Sequence, residues 1–292
     1  MQGDTMLTSV QVVSVIVRTG DRRAYTLGQE MGAWLSERGL SVYVFENATH
    51  RADVLCELAP ASDLALVLGG DGTMLSVARW AIGSCTPLLG INLGKVGFFT
   101  EISAADWREP LANLLEHGAQ LLELPALTYV VERRGRSLSE GKIINDLVVN
   151  RGILARLLSL ELRLEEEVVG SIRCDGLIAA TPAGSTAYGF SAGGPLLHPS
   201  LDAWCLVPVC PFLCDLRPMV LSSAVGVEII VLEGTAEAHL SLDGQEGIPL
   251  KPGDRLRIRR SLRGIFMVTL GDGSWVSKLK HKGFFGRFAF SK

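Results

Sequence analysis

The sequence predicts two domains of different class: an α/β domain with a parallel sheet, then an all-β, sandwich-like domain. Three observations predict it. The chain has 292 residues, more than one average domain packs around a single core. Up to about residue 124, short apolar runs alternate with amphipathic stretches at helical spacing, as when strands and helices take turns in a parallel sheet. Beyond that point, short β-type runs follow one another, many of them separated by glycine-bearing turns.

In order along the chain, residues 10–17 read as a strand, and Asp21 caps a helix on which Leu27, Met31 and Leu35 recur at helical spacing. Residues 41–45 and 64–68 read as strands, 74–82 as a helix, 87–92 as a strand and 105–117 as a helix. Together they predict a Rossmann-like domain over residues 1–124. Residues 128–132, 143–150, 158–164, 227–232, 238–242, 256–260 and 266–270 then read as short strands, with Gly135, Gly244, Gly253 and Gly264 in turns. These define a β-rich domain over residues 125–271. The basic, aromatic tail, residues 272–292, is expected to pack back on the first domain.

Composition narrows the function classes. Hydrophobic residues make up 48% and charged residues 20%, which describes a well-buried globular chain. A formal net charge of −3 lacks the basic footprint of a nucleic-acid binder, so any phosphate binding must be local. The first eight residues carry Asp4 and no basic run, so they do not read as a signal peptide. The uncharged stretch 176–201 is interrupted throughout by Gly, Pro, Ser and Thr, and 203–214 is short and holds Pro208 and Pro211; neither reads as a membrane helix. Six cysteines without a C-x-x-C pair read as reduced thiols of a cytoplasmic protein. Cys205, Cys210 and Cys214, with His198 nearby, match no zinc-site spacing and read as small buried hydrophobes.

The chemistry concentrates where the apolar run 64–68 feeds into Gly69-Gly70-Asp71-Gly72-Thr73 and a helix follows. Three glycines in five positions let the backbone turn sharply and approach a ligand closely. A helix N-terminus favours anions through its amides and dipole. Neither G-x-x-x-x-G-K-[ST] nor G-x-G-x-x-G is present. Asp71 is the unusual member, because a carboxylate beside phosphates is repelled unless it binds Mg²⁺ or accepts a hydroxyl proton. A strand-to-helix turn with Asp71 as a plain cap is the alternative on local grounds. Arg79, one to two helical turns on, is placed to reach phosphates. Asn145, Asp146 and Asp175 are short polar groups beside β-type apolar runs, where burial without partners is costly.

The loop Gly69–Thr73 after a buried strand resembles that of a kinase superfamily covering NAD kinases, diacylglycerol and sphingosine kinases and phosphofructokinases. Further segments resemble the NAD kinase family: the glycine-rich run 90–99, the pair Asn145-Asp146, and Asp243-Gly244-Gln245. Most specific is the block 173–195, Arg-Cys-Asp-Gly-Leu-Ile-Ala-Ala-Thr-Pro-Ala-Gly-Ser-Thr-Ala-Tyr-Gly-Phe-Ser-Ala-Gly-Gly-Pro, which resembles that family's D-G-L-I-x-x-T-P-x-G-S-T-A-Y-x-x-S-A-G-G-P. The resemblance runs in the family's order from Gly69 to about Ser261. It implies a kinase that phosphorylates the adenosine-ribose 2′-hydroxyl of NAD at a site between the two domains. ATP or polyphosphate is the implied donor, Mg²⁺ the implied cation, and Asp71 the catalytic group.

By the same resemblance, the loop Gly69–Thr73, with Gly70 and Thr73, holds the phosphate donor, and Gly72 lines the NAD site. Asn145, Asp146, Arg156, Arg173, Asp175, Thr186, Ala187, Tyr188, Gly189, Phe190, Ser191 and Gln245 line the nucleotide site. Arg173 accompanies a preference for oxidised NAD, and Phe98 reads as core. A homo-oligomer, dimer or tetramer, with NAD touching a neighbouring subunit, is also implied; nucleic acid and membrane are not. The chain departs from the pattern at Ala183, where Thr or Ser is usual, at Phe212, and in the tail 283–288. A lipid kinase with the same loop, and a protein that senses NAD without turnover, are the competing readings.

Overall fold

The computed structural model describes residues 5–47, 62–94, 97–152, 156–234, 237–271 and 275–285. Of the residues singled out in the sequence, Asp4, Cys56, Lys95, Val96 and, in the tail, residues 272–274 and those from 286 lie outside these. The chain divides into two compact units, one within Met1–Leu122 and Phe266–Lys292, the other within Glu123–Ile265.

The strands are β1 (Thr5–Leu7), β2 (Val12–Arg18), β3 (Ser41–Asn47), β4 (Leu64–Gly69), β5 (Leu88–Asn92), β6 (Ile102–Ser103) and β7 (Ala119–Leu124). There follow β8 (Leu127–Arg133), β9 (Arg136–Ile143), β10 (Asp146–Arg151), β11 (Leu158–Leu164), β12 (Glu167–Cys174) and β13 (Gly176–Ala180). The rest are β14 (Ala203–Val209), β15 (Met219–Ser222), β16 (Val227–Val231), β17 (Ala238–Leu242), β18 (Glu246–Leu250), β19 (Arg255–Arg260) and β20 (Ile265–Thr269).

In the first unit, among the described residues, the sheet runs β1-β7-β20-β5-β4-β2-β3, with β6 beside β5. Its centre is parallel, with Val13 opposite Val42, Val15 opposite Leu66 and Leu68 opposite Ile91. β1 and β7 pair antiparallel, so the sheet expected to be parallel is mixed at one edge. Every residue of β4 and β5 is buried, as a parallel strand covered on both faces requires. The helix Arg22–Ser36 starts where the Asp21 carboxylate accepts the amides of Arg23 and Ala24 at 3.0 and 3.1 Å, and it buries Ala24, Met31 and Leu35.

Residues 266–270 belong to this first sheet, where Met267 pairs parallel with Leu88, rather than to the β-rich domain that the sequence assigned them to. A parallel partner needs a crossover, and here the chain between β5 and β20 runs through β6, the helix Arg108–His117, β7 and all of the second unit's strands. An alternating run does not encode which sheet it joins. The helix Trp275–His281 is part of the same unit, with the Lys278 ammonium paired to Glu101.

The second unit is two antiparallel sheets among the described residues, β15-β14-β13-β10-β17-β18 and β12-β11-β16-β19-β8-β9. One core draws Leu147, Leu177, Trp204 and Leu240 from the first and Leu127, Leu160, Ile229 and Ile258 from the second, which makes it a sandwich. The run 143–150, read as a single strand, is broken. Ile143 ends β9 in one sheet, and Asp146 starts β10 in the other. β13, a buried Gly-Leu-Ile-Ala-Ala run, went unread because full burial removes the alternation that marks a strand. No helix among the described residues is long and apolar enough to cross a membrane.

Candidate active site

In the first unit, β4 delivers the chain to Gly70, which caps the helix Asp71–Ala81, so Asp71 is the first residue of that helix. A carboxylate there complements the positive end of the helix dipole. Its direction is set from elsewhere. Asp71 Oδ1 accepts the amides of Phe98 at 2.7 Å and Phe99 at 3.0 Å, and Oδ2 shares the Phe98 amide at 2.9 Å. The second glycine-rich run therefore has a mechanical role: it turns the Asp71 side chain. Gly97 permits this, since a Cβ there would meet Asp71 Oδ1 at 2.2 Å.

Thr73 leans over Gly69, where a Cβ would meet its Oγ1 at 2.4 Å. Gly70 and Gly72 are exposed, and Arg79 is half-buried. Phe98 is half-buried and packs edge-on against Phe99, with ring centroids 6.1 Å apart. Asn92, at the end of β5, accepts the Gly94 amide through Oδ1, while its buried Nδ2 finds no partner among the described residues.

In the second unit the break between β9 and β10 forms a corner. The amides of Ile144, Asn145 and Asp146 all point at the Asp243 carboxylate, at 3.2, 2.7 and 3.1 Å. Thr181 Oγ1 donates to the Ile144 carbonyl, the Thr181 amide donates to the Asn145 carbonyl at 2.9 Å, and Gly184 lies so close that a Cβ would meet that carbonyl oxygen at 2.0 Å. Asn145 and Asp146 are 8% and 5% exposed. Asn145 Oδ1 has no hydrogen-bond partner among the described residues. Burial pushes the Asp146 carboxyl up to about 6; the neighbouring Asp243 adds to the rise and the Tyr188 amide opposes it.

Beside this corner, Thr186 Oγ1 donates to the Ala183 carbonyl at 2.9 Å. Ala187 is half-buried and Gly189 buried, while the rings of Tyr188 and Phe190, at 48% and 37% exposure, and the Ser191 hydroxyl stand open to solvent. Ala183 is buried, and its carbonyl is the acceptor of that Thr186 hydroxyl. Gln245 follows Asp243 in the turn between β17 and β18 and is exposed.

Arg173 and Asp175 lie elsewhere. Asp146 pairs with Ala180 and Asn150 with Gly176, so Asp175 falls beside Arg151 at the far end of β10, roughly 17 Å along the strand from Asp146. There it makes an ion pair with Arg151 at 2.7 Å. Arg173 lies 5.6 Å over the Phe212 ring. Arg156, exposed and two residues before β11, belongs to this end, because Leu158 pairs with Cys174. The sequence thus named residues from two places on one sandwich. It missed Asp243, Thr181 and the Phe98 and Phe99 amides as working parts; the quoted Asp-Gly-Gln and second glycine-rich segments were the available signal. Cys174 and Cys205 are buried thiols pushed up to about 12 and about 11, chiefly by desolvation. No group of three His, Cys, Asp or Glu among the described residues is placed to hold a metal ion.

Residues 13–119 match the model of the ATP-NAD kinase N-terminal domain, and residues 144–270 that of the ATP-NAD kinase C-terminal domain. The chain is 46% identical to the NAD kinase of Nitratidesulfovibrio vulgaris (strain DSM 19637 / Miyazaki F), over 96% of this chain and 98% of that one. It is 35% identical to the NAD kinase of Geobacter sulfurreducens, over 92% and 97%. In structure it is similar to an Archaeoglobus fulgidus NAD kinase solved in complex with ATP, with a TM-score of 0.72 at 25% identity over 92% of this chain and 98% of that one. Its fold also matches yeast NADH kinase complexed with NADH, with a TM-score of 0.85 at 22% identity over 100% and 94%.

Two predictions follow from the geometry. Gly97→Ala drives a methyl into the Asp71 carboxylate and should lower turnover by about ten-fold or more while leaving the circular-dichroism spectrum unchanged. Asp146→Asn should raise Tm at pH 7.5 by a few degrees. The folded-state carboxyl ionises at about 6 against an ordinary 3.8, so the unfolded chain loses its proton first and stability falls as pH rises through that window. The gain on substitution should therefore shrink as pH is lowered from 6 toward 4, measured by thermal melts across pH.

Proposed function

The chain belongs to the NAD kinase family, and we propose that Asp71 orients the adenosine-ribose 2′-hydroxyl of NAD and takes its proton as the phosphoryl group transfers. The protein is an enzyme, a phosphotransferase that makes NADP from NAD and ATP. The observation that carries Asp71 is the amide clamp. Two backbone N–H groups fix the carboxylate, yet Oδ2 takes only a share of one of them. An ionised carboxylate has about four acceptor sites, so Oδ2 keeps capacity for a sugar hydroxyl.

That hydroxyl is a far weaker acid than a carboxylic acid. Its proton therefore leaves late, as the new O–P bond forms and the bond to the leaving nucleoside diphosphate breaks, and passes to Asp71 and then to water. The exposed backbone at Gly70 and Gly72, and the helix end beyond it, suit the donor phosphates. Mg²⁺ belongs to this reading as part of the substrate, Mg–ATP. It keeps several waters and binds mainly through phosphate oxygens, which suits a site whose carboxylate is Asp71. Polyphosphate offers the same terminal phosphoryl group and is the second donor to test.

On the acceptor side, Asn145, Asp146, Tyr188 and Gln245 receive the dinucleotide. Support comes from Asn145 Oδ1, which is buried with no partner among the described residues; such burial costs about 1–3 kcal/mol, and a ligand donor would satisfy it. The exposed Tyr188 ring offers a stacking face for a base. Arg156, Arg173 and Asp175, at the far end of the strands, are read as contacts to a dinucleotide held by a neighbouring copy in a homo-oligomer. The exposed Phe212 and Leu213 beside them support that reading. A cytoplasmic location goes with it.

The test is purified protein with NAD and Mg–ATP, followed by NADP-specific detection. NADP should accumulate, and Asp71→Asn should lower kcat about 10²-fold or more. A loss of only a few-fold would return Asp71 to the role of a helix-end residue. NAD binding without turnover would favour the sensor, and faster phosphorylation of diacylglycerol the lipid kinase.

A further inference from the structure

The corner that carries Asn145 and Asp146 is held from outside. We propose that Asp243 is a positioning residue for dinucleotide binding, its carboxylate holding residues 144–146 in the shape that presents Asn145 and Asp146. This rests on the reading of those two residues as acceptor-side contacts.

A hairpin loop usually shows its polar side chains to water. Here Leu242 pairs with Glu246, leaving residues 243–245 as the loop, yet Asp243 is 6% exposed. Its φ of +49° lies in the left-handed region, which Asp and Asn tolerate better than most side chains, and Gly244 follows at +64°. The turned-in carboxylate meets three consecutive amides, and its own amide donates to the Asp146 carbonyl at 2.9 Å. At this corner the chain leaves one sheet for the other, so neither ladder supplies those amides with acceptors. A buried carboxylate is costly, and a hydroxyl or an amide oxygen at position 243 would satisfy fewer than three donors.

The charge adds a second effect. Among the described residues, the groups facing Asp146 are the Asp243 carboxylate from the β17–β18 turn, the Cys205 thiol on β14 and the Tyr188 amide. Asp243 is the one of them that opposes ionisation of Asp146 through its charge. Removing that charge favours the ionised form, so Asp146 ionises at lower pH.

Full-length wild-type protein, Asp243→Asn, Asp243→Ala and Asp146→Asn are to be assayed for NADP formation with Mg–ATP from about pH 5 to 9. Asp243→Asn keeps an oxygen for the amides of residues 145 and 146 and tolerates the backbone angle. It should move the acid limb of kcat/KM for NAD to lower pH. Asp243→Ala should raise KM for NAD about ten-fold while KM for ATP stays within about two-fold. An Asp243→Asn profile that superimposes on wild type overturns the proposal. So does an Asp243→Ala protein that loses affinity for NAD and ATP in equal measure, since a fold-only role predicts that. If Asp243→Ala does not fold, the Asp243→Asn profile decides. Should Asp146→Asn leave KM for NAD unchanged, the acceptor-site reading fails, and this proposal with it.

Discussion

A carboxylate that accepts consecutive backbone amides holds a piece of chain that neither helix nor sheet would hold, and Asp71 in the first unit and Asp243 in the second both do this. Asp71 takes the amides of residues 98 and 99; Asp243 takes those of residues 144–146. Unpaired buried amides are among the costlier defects in a folded protein. Each contact therefore ties two distant stretches of sequence together, and the functional groups inherit their directions from these ties.

The two carboxylates differ in what they leave over. Asp71 is half-buried, and one of its oxygens has acceptor capacity to spare, as a group that handles a hydroxyl proton needs. Asp243 is nearly sealed and committed to amides. The first suits chemistry and the second architecture, although side-chain type alone does not separate them.

Unfavourable groups collect around the corner between β9 and β10. Asp146 is buried beside another carboxylate, and the Asn145 oxygen is buried without a partner among the described residues. Both features cost stability in the free protein, and both are relieved by a ligand that brings hydrogen-bond donors. Binding sites often hold such unfavourable groups, because a group already satisfied internally has little left to offer a substrate. The Ser185 hydroxyl is the contrasting case: it donates to Pro182 and accepts from Leu197. That leaves the exposed residues 188, 190 and 191 to face outward.

The sequence by itself determined the local features. A buried apolar run ending in glycines predicts a strand-to-helix loop. Helical spacing after Asp21 predicts the first helix, and motif order predicts the family. Each is carried by residues close together in the chain, so periodicity and turn chemistry suffice to read it. Tertiary structure alone decided that residues 266–270 return to the first sheet, and that the run 143–150 breaks in two. It also decided that Asp243 turns inward, and that Asp175 and Asp146 sit at opposite ends of one strand pair. All four depend on which distant partner satisfies a backbone amide or ladder, and pairing between stretches far apart in the chain leaves no periodic trace in a single sequence.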